Sequence, residues 1–72
     1  MEEKILNKVK NDFIKKLKIK KEVILSYDEE NFLEDMEKEG KSYVEIMEKE
    51  TNGKVWEITL NHRGKIIEYI EL

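Results

Sequence analysis

Cysteine, proline, alanine and glutamine are absent from this 72-residue chain, and Trp, His and Arg occur once each. Without cysteine there is no disulfide and no thiolate zinc site. A chain this short buries only ~60% of the surface it exposes when unfolded. It therefore lacks the commonest supplement to a core worth roughly 3–5 kcal/mol. No apolar run approaches the ~20 residues of a membrane span, and no apolar targeting segment follows "MEEK". The expectation is a cytoplasmic chain with no membrane association. No glycine-rich phosphate loop or other cofactor motif occurs, so no cofactor is expected and no residue is assigned a catalytic role.

What is present is charge. Charged residues make up 43% of the chain against 39% hydrophobic, near the border with disordered compositions. Strong helical and strand periodicities along the whole length place it on the folded side. The net charge of −3 hides a segregation. Residues 1–21 carry eight Lys against three acids, residues 22–50 carry eleven acids against three Lys, and residues 51–72 balance at three each. A basic first element followed by an acidic middle favours attraction between the two, or surfaces suited to different partners.

Ile5, Leu6, Val9, Phe13, Ile14 and Leu17 recur at spacings of three and four, the apolar stripe of an amphipathic helix over residues 3–18. Glu2 and Glu3 at its start and Lys15, Lys16 and Lys18 at its end suit the macrodipole. "EVILSY", residues 22–27, reads as a strand. Asp28 as N-cap, Phe32, Leu33 and Met36 on one face, and Gly40 as C-cap predict a short second helix over about 29–38. A long loop is the alternative. From Ser42 the period is two, and Asn52-Gly53 signals a two-residue type I′ hairpin. That loop sets Lys49 opposite Trp56, Met47 opposite Ile58, Glu45 opposite Leu60 and Tyr43 opposite His62. Trp56, Ile58, Leu60, Met47 and Tyr43 then form the bed for the first helix, with Trp56 near Phe13 or Leu17. Glu48 faces Glu57 on the other side. "NHRG", residues 61–64, predicts a type I turn with His62 and Arg63 exposed at its centre and a bulged hairpin after it.

Each chemical motif has a plainer explanation. Ser42 near His62 would need an orienting acid and oxyanion donors, and none is indicated. "DEENFLEDMEKE" has the length of a calcium loop, but Phe32 and Leu33 stand where that loop needs an oxygen ligand and a glycine. No metal ligand is assigned. Lys15, Lys16, Lys18, Lys20 and Lys21 could meet phosphates, yet no aromatic residue interleaves them.

"YVEIMEKETNGKVWEITLNHRGKIIEYIEL" behind an amphipathic helix resembles PepSY-like domains, with "GKII" at Gly64–Ile67 the closest stretch. The resemblance implies a non-catalytic regulatory or inhibitory module and assigns no functional residue.

These readings predict one α+β domain over residues 1–72. An N-terminal amphipathic helix packs on an antiparallel meander of three strands, with room for a fourth strand and a short second helix. The expected function is a non-enzymatic, regulatory protein-binding module acting as a homodimer. The interface is assigned to Ile66, Ile70 and Leu72 of the last strand with Val44 and Ile46, and to Ile67 and Tyr69 if the register moves by one. A nucleic-acid-associated protein using the helix lysines is the alternative, and an acidic mimic of nucleic acid ranks third.

Overall fold

The computed structural model describes residues 2–72. It is an α+β arrangement in the order α1 (Glu2–Leu17), β1 (Val23–Tyr27), α2 (Phe32–Glu39), β2 (Lys41–Glu48), β3 (Val55–Asn61) and β4 (Ile66–Glu71). The four strands form one antiparallel sheet in sequence order, so β1 and β4 are its edges. Among the described residues no helix is long and apolar enough to cross a membrane.

Helix α1 buries Leu6, Val9 and Phe13 from the stripe read in the sequence. It ends with Lys18 in the left-handed region (φ 55). Ile19 N–H donates to the Ile14 carbonyl at 3.1 Å and Lys18 N–H to the Lys15 carbonyl at 3.4 Å, a paired C-terminal cap that turns Ile19 back onto the core. A left-handed lysine costs roughly 1–2 kcal/mol in backbone strain, offset here by the packing of Ile14 and Ile19.

The expected second helix forms, but it starts later. The Asp28 carboxylate accepts the amide of Asn31 at 2.9 Å and the backbone N–H of Glu30 at 3.1 Å, closing a turn before α2 begins at Phe32. The Asn31 contact, ahead of the backbone donors, holds the Asp28 carboxyl below its ordinary pKa. Gly40 closes α2 in the left-handed conformation, as its position predicts. Helix α2 does not cover the far side of the sheet: Phe32 and Met36 join the same core as α1, and the Phe32 ring meets Tyr27 edge to face at 5.4 Å.

The first hairpin corrects the sequence reading. Ser42 lies opposite Leu60, Val44 opposite Ile58 and Ile46 opposite Trp56. The loop runs over residues 49–54 instead of Asn52-Gly53 alone. Lys49 N–H is committed to the carbonyl of Glu22, the residue before β1, at 2.9 Å, and Lys54 N–H to the Glu48 carboxylate at 2.9 Å, so pairing between the two strands ends at the bond from Glu48 N–H to the Lys54 carbonyl. Gly53 serves close approach here, because a Cβ would lie 2.6 Å from the Glu48 carbonyl oxygen. Asn52 alone takes positive φ, at 62°. The new pairing differs from the expected one by an odd number of residues, and an odd shift exchanges the two faces of β2. Val44 and Ile46 are thus core residues, and Tyr43 and Met47 are exposed. Glu45, not Glu48, is the residue opposite Glu57.

The core gathers Val44, Ile46, Trp56, Ile58 and Leu60 under Leu6, Val9, Phe13, Phe32 and Met36. Phe13 sits between two rings, edge to face with Trp56 at 5.3 Å and with Tyr69 at 5.4 Å. Trp56→Ala is expected to cost roughly 3–5 kcal/mol, leaving the chain largely unfolded by circular dichroism at room temperature.

The β3–β4 turn forms as read. Gly64 N–H donates to the Asn61 carbonyl at 2.9 Å, and the Asn61 side-chain oxygen accepts Arg63 N–H at 2.9 Å and Lys65 N–H at 3.0 Å. His62 and Arg63 are exposed. Gly64 has φ 78, and a Cβ there would lie 2.8 Å from Cγ2 of Ile5 on α1. Gly64→Ala should therefore destabilise by roughly 2 kcal/mol or more. The double change His62→Ala, Arg63→Ala should stay within about 0.5 kcal/mol. Urea unfolding curves of the two variants provide the comparison.

Candidate interaction surface

Because both helices lie on one side, the other face of the sheet is bare. Its side chains are fixed by the register. One cross-strand row is Ile24, Met47 and Val55, and Leu72 joins it by donating its N–H to the Val55 carbonyl at 2.8 Å. The next row is Ser26, Glu45, Glu57 and Ile70. A third holds Tyr43, Thr59 and Glu68. An apolar band at one end thus adjoins an acidic centre. Ile24, Met47, Ile70 and Leu72 are 46%, 38%, 52% and 67% exposed, so the band is open to water. A shallow groove beside it is lined by Ser26, Tyr43, Glu45 and Glu57. Glu45 and Glu57 stand directly opposite each other, an arrangement that costs stability unless the face is solvated or meets positive charge.

Strand β4 is an exposed edge. A shift of register at Thr59/Leu60 pairs Leu60 with Ile66 and leaves Ile67 as the bulged residue, 57% exposed. The bulge separates residues that the sequence puts on one face. Ile66 turns toward the core, while Ile70 and Leu72 lie on the open face. Val44 and Ile46, also assigned to the interface, are 2% and 0% exposed and belong to the core of the single chain. Leu72 N–H points at β3, so alternation turns the backbone groups of Tyr69 and Glu71 outward from the sheet.

The remaining sequence candidates are dispersed. Ser42 is buried beside Leu60, whereas His62 is exposed at the turn, on the rim of a groove with Ile5, Leu33 and Met36. Among the described residues no three His, Asp or Glu side chains gather where a metal ion could be held. In the lysine cluster, Lys21 pairs with Glu50 at 2.9 Å, which raises its pKa, and Lys16 lies over the Tyr69 ring at 5.7 Å from its centre.

The open-face residues Ile24, Tyr43, Glu45, Met47 and Glu57 were missed as a group. One signal could have found them. Of the two faces of β2, Ser42/Val44/Ile46 is charged only at the strand's end, at Glu48, while Tyr43/Glu45/Met47 carries a carboxylate at its centre, and burying an unpaired carboxylate is far costlier than exposing a methionine.

No protein-family model, curated protein or solved structure matches the chain.

Proposed function

We propose that the protein is a non-enzymatic, regulatory interaction module that works as a homodimer joined along β4. The observation that carries this reading is the sparsely protected edge. Strand β4 reads "IIEYIE": Glu68 and Glu71 are its only charges, it has neither Lys nor Pro, and its other four side chains are apolar or aromatic, whereas edges are normally blunted by Lys, Pro or another chain. Its bulge lies at the Ile67 end and leaves Tyr69 and Glu71 with outward backbone donors and acceptors. A second copy running antiparallel can pair Tyr69 with its own counterpart and Ile67 with Glu71 on either side. That is a closed two-fold contact, the commonest kind in soluble oligomers.

Ile67, Ile70 and Leu72 would lose exposed apolar surface in the process, with Ile70 and Leu72 retained from the sequence assignment. The added burial is what a small domain without disulfides needs. The resemblance of the C-terminal hairpins to PepSY-like domains points the same way, to a module that acts through contacts. Nucleic-acid binding ranks second: Lys15, Lys18 and Lys20 extend the basic patch, but Lys16 and Lys21 already have partners.

Light scattering at tens of micromolar should return a mass of twice 8.7 kDa. Glu71→Pro, which removes an outward N–H while leaving the bonds of Ile70 and Leu72 to β3, should halve it. Glu39→Lys, at the end of α2, should not. A wild-type mass equal to one chain would overturn the reading.

A further inference from the structure

We infer that the open face of the sheet docks a basic amphipathic helix of a different protein. The inference rests on the module reading but not on the dimer, because pairing through β4 would extend the sheet and leave this face bare in both copies.

The chemistry of the face selects the occupant. Its apolar part, Ile24, Met47, Val55, Leu72 and Ile70, is contiguous across all four strands. Contiguous exposed apolar surface of this kind marks interaction sites. A hydrophilic ligand would leave it wet. Its acidic part, Glu45, Glu57 and Glu68, has no basic residue in the same cross-strand rows. Nucleic acid and anionic lipid surfaces would be repelled. A second copy stacked face to face would bring the same three carboxylates toward themselves, six charges leaving water together, with Lys41 at the start of β2 the one cation that strand offers on this face. Helix α1 of another copy fits no better. Its apolar stripe is consumed by its own core, and its outward side chains, Lys4, Lys8, Asn11 and Lys15 among them, are all polar or charged, with nothing to cover Met47 or Ile24.

An occupant that satisfies both parts must present apolar side chains along one stripe with Lys or Arg beside it. A basic amphipathic helix does so at spacings of three and four. The dimensions agree. Four strands about 4.8 Å apart span ~15 Å between the outer axes, enough to seat one helix of ~10 Å diameter. In that pose the stripe lies on Met47, Val55 and their row, and the cations reach Glu45 and Glu57, relieving the like-charge opposition built into β2 and β3.

The test uses a fluorescein-labelled Leu/Lys peptide of about 14 residues, ~21 Å as a helix, with leucines at helical spacing, and anisotropy as readout. Saturable binding that weakens with salt is expected. Glu45→Lys with Glu57→Lys should weaken it about tenfold or more, as should Met47→Lys, through like-charge contact. Lys8→Glu on the opposite side should leave it unchanged, and circular dichroism should show each variant folded. A Leu/Glu peptide of the same pattern should not bind. No saturation at hundreds of micromolar, equal binding of the acidic peptide, indifference to the face substitutions, or a preference for duplex DNA or anionic vesicles would each overturn the inference. The wild-type chain separates the two proposals. Peptide binding by a wild-type monomer sinks the dimer alone, and a wild-type dimer that ignores the peptide sinks the docking surface alone. Monomeric Glu71→Pro should still bind the peptide.

Discussion

The pairing of Val44 with Ile58 and of Ile46 with Trp56 is the constraint from which the other surfaces follow. A strand has two faces, and the parity of its register decides which of them the helices cover. With this parity, α1 and α2 close over a sheet side made of Val44, Ile46, Trp56, Ile58 and Leu60. Glu45 and Glu57 are kept in water on the other. The opposite parity would place Glu45 among the core side chains, where an unpaired carboxylate costs more than the whole domain has to give.

From that choice the molecule becomes a two-layer structure with one dry side and one bare side. The dry side is well supplied for so short a chain. Phe13 is held edge-on between Trp56 and Tyr69, Ile5 packs against Gly64, and the cap at Lys18 returns Ile19 to the core. The polar bonds are mostly local devices for ending elements, at Asp28, Asn61 and Glu48. Among the described residues the ion pairs Lys21–Glu50, Lys38–Glu34 and Lys49–Glu22 are all solvent-exposed and contribute little. Stability therefore rests on apolar burial, which makes the uncovered apolar band and the free β4 edge the features most in need of an explanation.

Much of this architecture is legible in the sequence, and the parts that are not share a cause. The stripe of α1, the strand at 23–27, the left-handed Gly40 and the Asn61–Gly64 turn are local patterns, decided by spacing and by turn chemistry within a few residues. The Phe13–Trp56 contact was also reachable, because Trp56 lies on the apolar side of β3 in either register. The β2–β3 register was not reachable from Asn52-Gly53 alone. It depends on Lys49 being drawn to Glu22 just ahead of β1, a contact more than twenty residues away in the chain. The bulge at Ile67 is likewise a property of the assembled sheet, and without it Ile66 would share a face with Ile70. Those two non-local facts account for Val44, Ile46 and Ile66 falling on the core side instead of at an interface.

The division of β2 into a buried and an open face is tested most directly by one pair of neighbouring substitutions, Ile46→Glu and Met47→Glu, compared by urea unfolding with Trp56 fluorescence as the reporter. Ile46 is fully buried and Met47 is 38% exposed. The account predicts that Ile46→Glu is unfolded without denaturant, because a buried unpaired charge exceeds the roughly 3–5 kcal/mol such a core supplies. Met47→Glu should stay within about 1 kcal/mol of the parent. A folded Ile46→Glu beside an unfolded Met47→Glu would contradict the register, and with it the proposed docking face.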